Sequence, residues 1–133
     1  MNTKVKISMY WLFIGITMIL HTVLATMGLM FGKDIIMPDA TGEIPTYMYV
    51  MIILTMILPF ILSFIQLHTE AKWFKYSTYI WSIILILLNA FHFYSAAFLE
   101  KEGIDQIVLL LFVLIINVFL TRELYRFIKN KNV

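Results

Sequence analysis

Four stretches of the chain are almost wholly apolar: residues 7–31, 47–67, 74–98 and 104–120, the last prolonged to 127 by a polar end. No Asp, Glu, Lys or Arg stands near the middle of any of them. A helix rises about 1.5 Å per residue and the hydrocarbon of a bilayer is about 30 Å thick, so each stretch is long enough to cross it. Lipid offers no partner to unpaired backbone groups, and the stretches lack the alternation of barrel strands, so they are expected to be helices. The pattern predicts an all-α integral membrane protein. Its single domain, residues 1–133, would be a four-transmembrane-helix up-down-up-down bundle.

Helical residues three, four and seven apart share a face. On the first helix Tyr10, Ile14, Thr17, His21, Ala25, Gly28 and Gly32 line up, a stripe rich in small residues that suits close helix contact. The second aligns Thr55, Pro59, Ser63 and Gln66. The third aligns Thr78, Trp81, Leu85, Asn89, His92, Ser95 and Ala96, and the fourth Gln106, Val113, Asn117 and Thr121. Each helix thus has one face richer in polar or small residues, and burying these together makes a partly polar interior. Pro59 has no N–H to give, which leaves the Thr55 carbonyl for another partner.

Composition strengthens the membrane assignment: 62% of the residues are hydrophobic, well above the half or so usual in soluble domains. The absence of cysteine removes disulfides and thiolate chemistry. Lys4 and Lys6 precede the first apolar run as in a signal peptide. That run is too long, however, and no small-x-small cleavage site follows, so a retained helix is expected.

Charge sets the orientation. Lys4, Lys6, Lys72, Lys75, Arg122, Arg126, Lys129 and Lys131 fall on one side of a four-span chain, and only Lys33 and Lys101 on the other. Cytoplasmic flanks are rich in Lys and Arg, so a multi-pass protein of the cell membrane with both termini cytoplasmic is expected. Trp11, Trp73 and Trp81 are placed as anchors at the inner interface, Tyr47 and Tyr49 at the outer. The basic C-terminal stretch suits anionic lipid rather than nucleic acid. The outer side carries Asp34, Asp39, Glu43, Glu100, Glu102 and Asp105, an excess that could attract cations but that the scarcity of Lys and Arg in translocated loops already explains, and Glu123 by Arg122 and Arg126 is expected to be a solvated pair.

Two histidines stand out. Counting back from the outer helix ends at about 1.5 Å per residue puts His21 about 13 Å deep and His92 about 9 Å deep. His68 lies in the turn before the third helix. Sliding the chain by 71 residues matches Lys4 with Lys75, His21 with His92, Ala25 with Ala96, Gly32 with Gly103 and Asp34 with Asp105. This faint echo predicts two related helical hairpins. His21 and His92 then face each other on diagonal helices. Paired so, they are candidate axial ligands of a b-type haem, with Ala25, Gly28 and Ala96 making room. Without haem, His21, Asn89, His92, Thr17, Thr55 and Asn117 are the candidate ligand-binding residues.

The chain has no nucleotide loop, nucleophile elbow, zinc-protease motif or carboxylate dyad. The leading reading is a small non-enzymatic membrane protein, a binding or accessory subunit with a partly polar site inside the bundle. Its expected partners are the lipid bilayer, a larger membrane complex or further copies of itself, and an apolar ligand such as a quinone or lipid. A bis-histidine haem-b electron carrier is the second reading, and an oligomeric small-molecule transporter the third.

Overall fold

The computed structural model describes residues 1–36, 38–100 and 102–130. Lys101 and Lys131, counted in the charge pattern, lie outside the described residues. Four helices, each long and apolar enough to cross a membrane by length and composition, make up most of the chain: α1 (Thr3–Phe31), α2 (Thr46–His68), α3 (Lys72–Leu99) and α4 (Ile104–Lys129). Local chemistry sets their ends. The Asn2 side chain accepts the Lys4 N–H at 2.9 Å, so α1 begins well ahead of its apolar run. At its other end Gly32 turns left-handed (φ 75°), and the Lys33 N–H reaches the Gly28 carbonyl at 3.0 Å. Asp105 in the first turn of α4, and Arg126 and Lys129 in its last, complement the helix dipole.

Three of the helices change winding. The missing N–H of Pro59 breaks the regular ladder of α2, and the turn before it, Ile53–Ile57, closes as a π-helix, with Leu58 N–H bonding to the Ile53 carbonyl. Helix α3 ends in a second π turn, Ser95–Leu99. By contrast, α1 ends in a 3₁₀ turn, Gly28–Phe31, so the outermost turns of the two histidine-bearing helices are wound differently.

Helix α1 packs against α2 and α4, and α3 packs against α4, whereas α2 and α3 barely touch. The order is therefore α2–α1–α4–α3, with a seam left between the outermost pair. The apolar core lies at the end that carries both termini. It gathers Ile7, Trp11 and Ile14 of α1, Leu62 of α2, Phe74 and Leu85 of α3, and Ile116, Leu120, Leu124 and Phe127 of α4. At the opposite, loop end the packing opens. The first seven residues of α2, Thr46–Ile52, contain no buried residue, and α1 is mostly exposed from Thr22 onward.

Polar side chains stitch the pairs. The Ser8 hydroxyl of α1 donates to the Ser63 carbonyl of α2 at 2.8 Å. Across α3 and α4, Asn89 Nδ2 donates to Asn117 Oδ1 at 2.8 Å and Asn117 Nδ2 to the Ser82 carbonyl at 3.0 Å. At the terminal end Glu123 is buried, 8% exposed, between Lys6 at 3.0 Å and Arg126 at 3.2 Å. It is thus not the solvated group expected, because α1 brings Lys6 over it. Lys4 bonds the exposed Glu70, and this hydrogen bond holds the Glu70 carboxyl below its ordinary range.

Three interior assignments change as well. Trp11 is fully buried in the core rather than interfacial, while Trp73 is exposed. The close approach of α1 to α2 falls at Gly15, where a Cβ would stand 2.8 Å from the Phe60 ring. Ala25, expected in a helix contact, is exposed, and Gly28 meets only the folded-back side chain of Lys33.

Candidate functional site

His21 sits where α1 leaves the tight core: Thr17, one turn before it, is buried, and Thr22, just after it, is exposed. His92 reaches the same level on α3, one turn beyond the buried Asn89. The two half-buried imidazoles meet edge to face, with ring centroids 4.9 Å apart and planes at 82°. Helices α1 and α3 are diagonal in the packing order and share little other contact, so these rings bridge the open end of the molecule.

Gln106, in the first turn of α4 and only 5% exposed, clasps His21 from two directions. Its Nε2 donates to the His21 backbone carbonyl at 3.2 Å, and its Oε1 accepts from His21 Nδ1. With Nδ1 as donor, a neutral His21 keeps Nε2 as its acceptor. The imidazole is thereby fixed in orientation and tautomer, with one basic nitrogen uncommitted to Gln106.

Above this layer lies a cleft of about 790 Å³ between the overhanging end of α1 and the start of α4. Leu24, Ala25, Met27, Phe31 and Ile35 form apolar wall, Gln106 lies on its lining, and Lys33, Asp34, Glu102 and Asp105 supply charge. Glu102 is the unusual member. Burial raises its carboxyl above the ordinary range and the neighbouring Glu100 pushes the same way, while His21 and Lys33 oppose. Its Oε2 is buried and finds no hydrogen-bond donor among the described residues.

The other candidates take different places. Asn89 and Asn117 bond each other and Ser82, away from the histidines. Thr17 returns its hydroxyl to the Phe13 carbonyl and Thr55 to Met51, each within its own helix. No hydrogen bond among the described residues joins either of them to His21 or His92. His68 is exposed and bonds the Phe64 carbonyl at 2.8 Å.

Gln106 and Glu102 were not among the candidate site residues. Gln106 does fall on the inward face of the fourth helix, but two residues into that helix it counts as shallow, whereas His21 counts as about 13 Å deep. The overhang of α1 reconciles them. Its last ten residues run past the packed region, so counting from the helix end overstates the depth of His21. The same overhang removes the apparent one-turn mismatch between His21 and His92.

The arrangement does not fit a haem between the two rings. With a metal–imidazole distance of about 2 Å, axial ligands on opposite faces of a macrocycle have ring centres roughly 6 Å apart. Here the rings touch edge to face at 4.9 Å. The room expected from small residues is absent as well: Ala96 is fully buried, and Gly28 is covered by Lys33. Among the described residues no cluster of three or more metal-binding side chains forms. What the site offers is hydrogen bonding and charge beside an apolar wall. No known protein family, curated protein or solved structure matches the chain.

Proposed function

We propose that the chain is a small non-enzymatic integral membrane protein, with both termini cytoplasmic, that works by binding. It acts as a binding or accessory subunit, and its ligand is a small apolar or amphipathic molecule held in the cleft lined by Gln106, the residue that clasps His21. Four apolar helices support the membrane assignment, and the eight-to-two distribution of basic residues supports the orientation. One observation carries the binding role. Gln106, which clasps His21 and through it borders the paired imidazoles, lies on the lining of a cleft that combines apolar and charged side chains. Pockets of roughly 300–1,000 Å³ with a few convergent polar groups are the usual form of a small-molecule site.

Extraction of the protein purified in mild detergent tests this. Mass spectrometry of the released small molecules should show a species bound to wild type and mostly lost from His21→Ala and from His92→Ala. The double variant should be little worse than either single one, because groups acting as a unit are not additive. His68→Ala should match wild type. If His21→Ala and His92→Ala carry the same molecules as wild type, or if wild type carries none, the binding role at this cleft is wrong. Co-migration with a larger assembly in the same detergent identifies an accessory subunit.

A further inference from the structure

We propose that one exposed face of α4 seats an anionic phospholipid, with its acyl chains along Leu111, Ile115 and Val118 and its phosphate among Arg122, Arg126 and Lys129. The inference rests on the membrane assignment and is separate from the cleft near His21.

Helical spacing brings these six residues together. Each stands three or four positions from the next, so they form one stripe along α4, and all six are exposed. The stripe changes character once, after Val118: before that point it is wholly aliphatic, and beyond it wholly basic. Its charge is also largely unspent. Among the described residues, the terminal end has two carboxylates, Glu70 and Glu123. Glu70 is bonded by Lys4, and Glu123 by Lys6 at 3.0 Å and by Arg126 Nη1 at 3.2 Å. Arg122 and Lys129 pair with no acidic group among the described residues. The guanidinium of Arg126 keeps N–H donors beyond the one that Glu123 takes.

The two halves of the stripe set the class of partner. Leu111, Ile115 and Val118 belong to a helix apolar enough to lie in hydrocarbon, so lipid tails cover them. The basic residues that follow on the same face then meet the headgroup layer. Arg126 stands about one helical turn from Arg122 and from Lys129, close enough for such long side chains to share one phosphate. An anionic phospholipid meets both halves at once. A zwitterionic one carries the same phosphate, but its ammonium offsets the attraction. A soluble acidic peptide offers nothing to the aliphatic half. Lys72 supplies the comparison. It is exposed at the same end and unpaired among the described residues, but it belongs to α3.

Native mass spectrometry of the full chain, released from mixed micelles with equal amounts of dioleoyl phosphatidylglycerol and dioleoyl phosphatidylcholine, reads the preference. The form carrying phosphatidylglycerol should exceed the form carrying phosphatidylcholine about tenfold or more, since each basic residue near a lipid surface is worth about fivefold. Arg122→Gln should lower that ratio about three- to fivefold on the same scale. Lys129→Gln should act alike, and serves if the first variant fails to fold. Lys72→Gln, which removes the same charge from α3, should leave the ratio nearly unchanged. Excess glycerol phosphate in solution should not displace the lipid. Equal binding of the two lipids would overturn the inference. So would an equal loss in Lys72→Gln and Arg122→Gln, because the attraction would then be the diffuse charge of the terminal end. Displacement by glycerol phosphate would make the stripe a site for a soluble phosphate compound and end the lipid reading. None of these results touches the binding role at the cleft, which the extraction from His21→Ala decides.

Discussion

A Cβ at Gly15 would fall 2.8 Å from the Phe60 ring, whereas one at Gly28 would meet the Lys33 side chain at 3.2 Å. The first obstacle is a ring wedged between two helices; the second is a flexible chain on the surface. Gly15→Ala should therefore lower stability in detergent by about 1–3 kcal/mol, the usual cost of overpacking. Gly28→Ala should stay within about 0.5 kcal/mol of wild type, as surface changes do. Equal melting temperatures for the two variants would contradict this placement. The difference also marks what a sequence can show at this scale. The stripe of small residues through Ala25 and Gly28 is real as a helical face, and Ile14 and Thr17 on it are buried. Periodicity states which residues share a face but not how far along the helix a neighbour extends. Ala25 and Gly28 lie on the overhang, where no helix covers them.

Among the elements, α3 and α4 form the most polar pair. Asn117 is fully buried, receives from Asn89 and donates to the Ser82 carbonyl. Asn117→Ala leaves the Asn89 amide without its acceptor in an apolar interior and should cost about 1–3 kcal/mol. Thr55→Val loses only a bond to its own helix at a half-buried position and should cost less than about 0.5 kcal/mol. Thermal unfolding followed by circular dichroism measures both; an unchanged Asn117→Ala would mean that the seam is dispensable. The burial of Thr78, Leu85, Asn89 and Asn117 follows from the 3.6-residue period, since each helix has to turn its polar face inward. The π turn before Pro59 has a cause visible in the chain, the missing N–H. The π turn at Ser95–Leu99 has no such mark. The pairing of His21 with Gln106 depends on how far two helices slide past each other, and that is a property of their packing, not of either helix.

At the scale of the whole molecule the two ends are built differently. The terminal end holds the apolar core, closed over by the Lys6–Glu123–Arg126 cluster and by Lys4 on Glu70. The loop end is open, with the cleft, the histidine pair and the uncovered first turns of α2. This division suits a protein whose closed, basic end faces the cytoplasm and whose open, acidic end receives a ligand from the other side. The proposed orientation rests on the basic residues: Lys4, Lys6, Lys72, Lys75, Arg122, Arg126 and Lys129 share the terminal end, whereas Asp34, Glu100, Glu102 and Asp105 share the loop end. Reporter fusions decide the matter in cells. A reporter after Thr41, in the long exposed loop, or after Lys101 should be active only outside the cytoplasm. One after Lys72 or at Val133 should be active only inside. A cytoplasmic signal at Thr41 would reverse the orientation and place the cleft, with its carboxylates, on the inner face.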